Sequence, residues 1–305
     1  MEIKDVILSQ NYSLMELRQL RYFIRAAETL NFTEAAEASF VTESTLSQQM
    51  KQLESELGAL LFNREKRKVR LTEIGERFLP YAIRTVADAD ESVQLVKDLK
   101  QLRTGTLRIG CTYSFTIELS KVLLKFCKAY PDINVSVERH TAGLLIEKLY
   151  AHKLDLVICF EPQTADASLK CIPLFNTRLS AVVHSTHPLA STQHVTIDEM
   201  NAYPVALPNR SLYSRILLDH ALHYKRKSID TQLEWNDVNL ALRFLETGHW
   251  LTILPQTCLK DESDFITIPI QDLQVNMKAV LLSLEDVYEK ATTRAFCEIL
   301  NLNQW

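Results

Sequence analysis

Residues 17–82 read LRQLRYFIRAAETLNFTEAAEASFVTESTLSQQMKQLESELGALLFNREKRKVRLTEIGERFLPYA. Leu20, Phe23, Ile24, Ala27 and Leu30 recur at three- and four-residue steps, which predicts one buried face of an amphipathic helix. Asn31 is expected to stop it. Thr33 stands where an N-cap hydroxyl would satisfy free amides, and the small pair Ala35 and Ala36 lets a second helix approach closely. Ser39, Phe40 and Val41 make a turn. Thr42 can cap a third helix whose inner face carries Leu46, Met50, Leu53 and Leu57.

The outer face of that third helix is polar: Glu43, Ser44, Ser47, Gln48 and Lys51 can hydrogen-bond base edges or phosphates. A solvated helix surface is the ordinary fate of such residues. The sequel argues otherwise, because Gly58 closes the helix and Arg64 to Arg70 then holds five basic residues against one acid, Glu65. Such a run can lie along a groove or a phosphate ridge.

The segment resembles the winged helix-turn-helix of LysR-type transcriptional regulators. The match runs through Leu20 and Phe23, Asn31 to Ala36, Leu46 and Ser47, Leu53 to Gly58, Leu61 to Arg64, and Leu71 to Gly75. It implies a DNA-binding face of Thr33, Thr42, Glu43, Ser44, Ser47, Gln48 and Lys51, with Arg64, Arg67 and Lys68 from the wing. Two positions depart from the family pattern: Ser39 replaces a turn leucine, and Glu43 replaces a glutamine. An acid there favours cytosine amino groups and repels phosphate.

Composition bounds the rest. At 305 residues with net charge −4 the chain has room for more than one domain, and its basic residues concentrate at the wing. No apolar run of about 18 residues exists, and MEIKDVILSQNYS has acids and no extended apolar core. A cytoplasmic location without membrane contact is expected. Met15 stands where members of the family commonly begin, so 1–14 reads as an N-terminal extension.

Only six glycines occur, which excludes Gly-x-Gly-x-x-Gly, a Walker loop and Gly-x-Ser-x-Gly. Six cysteines form no Cys-x-x-Cys pair, and reduced buried thiols are expected. His184-x-x-His187 and His220-x-x-His223 have metal spacing but no carboxylate or thiol nearby in sequence, so no metal and no cofactor are expected.

From Thr72 to about Leu102 the chain can run as one long helix. Leu79, Ala82, Val86, Ala89, Val93 and Val96 form a heptad seam that predicts pairing with a second copy, as homodimer or homotetramer. The expected division is a reading head over 15–73, a linker helix over 74–103 and an α/β effector domain over 104–305. After Gly105, strand-like runs at Leu107–Cys111, Val135–Arg139, Leu154–Phe160, Leu179–His184, Tyr203–Leu207, Gln232–Trp235, Leu251–Leu254 and Lys278–Ser283 alternate with helical stretches. That alternation predicts mostly parallel sheets with a crevice at the carboxyl ends of the strands.

This region is similar to the family's effector domain, two lobes of the periplasmic-binding-protein type. The landmarks are Tyr130-Pro131, Leu154-Asp155-Leu156, His187-Pro188-Leu189-Ala190 and Gly248 to Pro255. The implied lobes are 104–172 with 266–305, and 173–265. Thr112, Tyr113 and Ser114 occupy a strand-to-helix turn, with the helix expected near Ser114; hydroxyls and amides there suit an anion. The resemblance implies that effectors bind at this turn, with Thr141, Pro208, Asn209 and Gly248 contributing.

The expected partners are therefore double-stranded DNA, a small anionic effector, a second copy of the chain and, for a regulator of transcription, RNA polymerase. An enzyme is not expected, since no Ser-His-Asp grouping, metal set or paired carboxylates can be placed together. A solute-binding protein would share the lobes but not the reading head. A further alternative keeps DNA binding and replaces the ligand by oxidation of Cys111 and Cys159, which end strands expected to be neighbours.

Overall fold

The computed structural model describes residues 15–65, 68–99, 105–162, 166–259, 264–285 and 287–302. The expected N-terminal extension, 1–14, and the wing tip with Arg67 lie outside them. The chain folds as two units that divide after Lys97.

The first unit holds α1 (Leu17–Thr29), α2 (Phe32–Ala38), α3 (Glu43–Leu57), a hairpin of β1 (Phe62–Glu65) and β2 (Lys68–Leu71), and α4 (Glu73–Leu99). Leu20, Phe23 and Ala26 are the buried stripe of α1, while Leu30 is exposed in a left-handed C-cap. The cap of α2 corrects the expected one: Asn31 Oδ1 accepts from the amides of Thr33 and Glu34, so the residue that ends one helix starts the next. In α3, Leu46, Met50 and Leu53 are fully buried, whereas Leu57 is exposed beside the Gly58 C-cap.

Aromatic packing joins the helices to the root of the wing. Phe62 meets Phe23 at 5.5 Å and Phe32 at 5.3 Å, and Phe23 meets Phe78 of α4 at 5.4 Å. Buried Glu54 accepts from the amides of Leu61 at 2.9 Å and Phe62 at 3.1 Å, fixing where the chain leaves α3. Charge-assisted bonds of this kind position the hairpin more firmly than neutral ones.

The predicted seam on α4 is divided. Ala82 is buried in the head's own core, with Leu79 and Val86 packed against it, and Arg21 of α1 grips Asp90 through both carboxylate oxygens. Those three apolar residues are therefore corrected to intrachain packing. Ala89 is half-buried. Only Val93 (55% exposed) and Val96 (50% exposed) stay open, with Ile74, Tyr81 and Leu95 also exposed on this helix.

The second unit is a nine-stranded sheet ordered β4-β3-β5-β11-β6-β9-β7-β8, with β10 also paired to β6. Its strands are β3 (Gly105–Cys111), β4 (Ile133–Arg139), β5 (Leu156–Phe160), β6 (Leu169–His184), β7 (Val205–Pro208), β8 (Thr231–Trp235), β9 (Leu251–Pro255), β10 (Phe265–Pro269) and β11 (Asn276–Leu284). The helices are α5 (Thr116–Ala129), α6 (Ala142–Tyr150), a short α7 (Ile197–Met200), α8 (Tyr213–Lys225), α9 (Val238–Leu245) and α10 (Ala291–Leu302).

Each half is parallel at its outer strands: β3 pairs β4 and β5, and β7 pairs β8 and β9. The centre is antiparallel, because β6 runs through both halves. Its first part pairs with β11 and its last part with β9 and β10, so β10 belongs to the second half and the chain returns to the first only with β11, not at 266. Each half also has an apolar cluster of its own, around Leu145 and Cys159 in one and Trp235 and Leu254 in the other. Helices on both faces of a sheet require the continuous apolar runs seen in β5 and β9.

Candidate nucleic-acid interface and effector cleft

The exposed face of the reading head gathers most of the residues expected to touch DNA. Thr42 caps α3 by accepting from the Thr45 amide at 3.2 Å, and its hydroxyl also bonds those of Ser44 and Thr45. Its hydroxyl is therefore engaged in the cap. Glu43, Ser44, Gln48 and Lys51 are exposed on α3, with Ser47 half-buried between them. Thr33 reaches across from α2, donating from Oγ1 to Glu43 Oε2 at 2.8 Å. Arg64 and Lys68 lie on the two wing strands, in register with Val69 and Glu65.

One exposed residue escaped the sequence reading. Phe40, in the turn between α2 and α3, is 96% exposed and has φ 56°. Its amide bonds the Glu37 carbonyl and its neighbour Val41 bonds Ala36, which closes the turn. Only a short polar residue or glycine adopts that backbone readily. No pattern in the sequence marks an aromatic there.

In the second unit a shallow cleft, whose roughly 480 Å³ of empty space includes open solvent, lies at the carboxyl ends of the strands. Thr112, Tyr113, Ser114 and Thr141 line it, with His140 and Phe160 beside them. Pro208, Asn209 and Gly248 do not. Pro208 offers its carbonyl to buried Arg215 at 2.8 Å, Asn209 Oδ1 accepts from the amide and hydroxyl of Ser211, and Gly248 turns beside Thr186. The second half presents Ser211 to Ser214, Trp235, Val238 and Leu254 instead. An Asx turn in the sequence Asn209-Arg210-Ser211 could have pointed to the serine rather than the asparagine.

The local backbone explains why polar groups converge here. Cys111 ends β3, Thr112 donates its amide to the Ile158 carbonyl at 3.0 Å, and a 3-10 turn over Tyr113–Phe115 leads into α5. The helix therefore begins at Thr116, later than expected. Thr112, Thr141 and Leu212 are the N-cap residues of that turn, of α6 and of α8, and none makes a side-chain cap. The N-terminal ends of α6 and α8, with the positive ends of their dipoles, thus lie at the cleft. Thr112 Oγ1 is buried and has no hydrogen-bond partner. Arg139 lies over the Tyr113 ring at 5.5 Å and adds positive charge.

A disulfide between Cys111 and Cys159 fails on geometry. β3 and β5 are neighbours, and Cys111 stands opposite Ile158. Cys159 is one residue further, so its side chain lies on the other face, in a different apolar cluster. Burial pushes the Cys111 thiol up to about 11 and the Cys159 thiol up to about 12. Neither is poised as a thiolate. Of the histidines with metal spacing, His187 uses Nδ1 to accept from the Leu189 amide and His184 bonds Thr186. Burial holds the His187 imidazole below its ordinary pKa, which favours the neutral ring.

Comparison with known proteins decides the family. Residues 100–303 match the LysR substrate binding domain, and residues 17–76 match the bacterial regulatory helix-turn-helix protein of the lysR family. The chain belongs to the LysR family. It is thus a LysR-type transcriptional regulator with a DNA-binding helix-turn-helix and an effector-binding domain. A probable RuBisCO transcriptional regulator of Phaeodactylum tricornutum is 27% identical over 92% of this chain and 93% of its own. Full-length OxyR from Pseudomonas aeruginosa shares the fold with a TM-score of 0.74 at 21% identity, over 94% of this chain and 95% of that one. CbnR complexed with its target DNA has a TM-score of 0.63 at 20% identity, over 94% and 99%. Among the described residues of this LysR-type regulator, no helix is long and apolar enough to cross a membrane.

Proposed function

We propose that this regulator reads duplex DNA with the Glu43–Lys51 face of α3, works as a paired molecule, and is switched by a small anion in the cleft. The observation that carries the switch is the buried, unpartnered Thr112 hydroxyl at a place where two helices and a 3-10 turn begin without side-chain caps. Buried polar groups without partners are rare, and a ligand oxygen would supply the missing acceptor or donor. The positive ends of α6 and α8 favour negative charge at the same point.

The test is Thr112→Val combined with Ser114→Ala. Each change removes a neutral hydrogen-bonding group worth about 0.5–1.5 kcal/mol, so affinity for the anion is expected to fall roughly five- to a hundredfold. Thermal shifts against small carboxylates and inorganic anions supply the ligand, and calorimetric titration of both proteins measures the loss. Equal affinity in the two proteins would sink the reading. DNA binding without ligand is expected to survive in the variant.

Pairing rests on the outward end of α4. Val93→Glu is expected to reduce the sedimenting mass to that of a single chain, since two like charges would meet in a symmetric seam. Val86 does not serve for this test, because its side chain packs within its own head. An unchanged mass for Val93→Glu would move the pairing face elsewhere.

A further inference from the structure

The wall of the cleft narrows the class of anion, an inference that rests on the effector reading above. A second polar group in it lacks a partner: Trp235, only 2% exposed, lines the cleft with its indole Nε1 unbonded. An indole N–H can only donate, so its missing partner is an acceptor. Thr112 belongs to the first half of the sheet region and Trp235 to the second, at the end of β8. A molecule satisfying both offers an oxygen to each.

The rest of the wall is mostly carbon, beside the hydroxyls of Ser114, Thr141, Ser211 and Ser214. Phe160, Tyr213, Leu212, Val238 and Leu254 supply rings and aliphatic groups. Phe160 is itself held by Phe115, with ring centroids 4.8 Å apart, so this surface is preformed. A bare inorganic anion would meet the helix ends and leave the rings against water. A flat apolar body with a charged end covers both, and aromatic rings favour offset or edge contacts with one another.

We propose that the cleft takes a small aromatic carboxylate bearing a second oxygen, with its carboxylate at Thr112 and the helix ends and its second oxygen accepting from Trp235 Nε1. Such a ligand bonds both halves of the unit at once, so it binds best when the halves are drawn together. That differential affinity is what a switch requires.

Calorimetric titration and tryptophan fluorescence of the full-length protein test this with six probes: 3-hydroxybenzoate, 4-hydroxybenzoate, benzoate, cyclohexanecarboxylate, phenol and sulfate. One hydroxybenzoate is expected to bind about tenfold tighter than benzoate, as one good hydrogen bond allows. Benzoate should in turn exceed cyclohexanecarboxylate and sulfate. Trp235→Phe keeps a ring and removes the donor; it is expected to bring the hydroxybenzoate down to benzoate's affinity, a larger loss than benzoate itself suffers. The ranking of probes on the unaltered protein decides the ring class even if that variant folds poorly.

Cyclohexanecarboxylate or sulfate binding as tightly as the aromatic acids, with the loss still seen in the Thr112 and Ser114 variant, overturns the aromatic inference and leaves the anion reading standing. Phenol binding as tightly as the hydroxybenzoates overturns both. So does the absence of binding by every probe.

Discussion

Gly75→Ala is expected to lower the melting temperature of the reading head by roughly 10–20 °C and to abolish DNA binding. A Cβ at Gly75 would lie 2.2 Å from the Leu61 carbonyl oxygen, and 3.1 Å from a methyl of Leu71. Backbone is what it meets, and that backbone cannot yield cheaply. The Leu61 oxygen accepts from the Thr72 amide at 2.9 Å, the Leu61 amide is held by Glu54, and the Thr72 hydroxyl bonds both the Leu60 carbonyl and the Gly75 amide. Relieving the clash means breaking the knot that joins α3, the wing and α4.

Overpacking costs about 1–3 kcal/mol where side chains can adjust, and a backbone clash belongs at the upper end. For a unit of this size each kcal/mol moves the midpoint about 4–8 °C. Melting followed by circular dichroism, beside a mobility-shift titration, measures both effects. An alanine variant that melts and binds like the parent would show that α4 can slide on the wing root without loss.

That glycine was visible in the sequence as a landmark of the family pattern, Leu71 to Gly75, but its reason was not. Periodicity reports which face of a helix is buried and cannot report what lies opposite. The same limit explains the divided seam on α4. Leu79, Ala82 and Val86 have heptad spacing whether they meet a second copy or α1 of their own head, and only the Arg21–Asp90 pair and the burial of Ala82 distinguish the two. Strand positions were legible where apolar runs were long, as in β5 and β9.

The first part of β6 was missed because Pro173 argues against a strand. The structure accommodates it at an irregular register beside Val280. The anion turn was legible from three adjacent hydroxyls after a strand. Trp235 was not, because a tryptophan ending a strand looks like core until its N–H is found without a partner. Cys111 and Cys159 show the reverse error, since strand adjacency was foreseeable and the one-residue offset that separates their faces was not.

Glu43→Gln is expected to change which base the reading head prefers at one position of each half-site, from C·G to A·T. A carboxylate can only accept, and in the major groove cytosine N4 is the donor that suits it; a glutamine amide instead matches adenine N6 and N7 in pairs. Thr33 donates to Oε2 at 2.8 Å, which restrains the carboxylate and leaves Oε1 for a base. Each such contact discriminates by about 1–3 kcal/mol. Two heads on a symmetric site, as proposed above, double that to about 2–6 kcal/mol, a relative affinity change of roughly 30- to 20,000-fold.

Removing the negative charge also lifts affinity for every duplex alike, because it relieves repulsion from phosphates. The two effects separate when binding is compared as a ratio between operators at one salt concentration. Selection of bound duplexes from a randomised pool, run on the parent and on Glu43→Gln, gives the preferred base; titration of the selected pair gives the ratio. Thr33→Val serves as the control for orientation, keeping the carboxylate and loosening it, and should weaken the preference for cytosine without creating one for adenine. If both proteins select the same bases at every position and differ only in overall affinity, Glu43 faces the backbone and base reading belongs to Ser47 and Gln48.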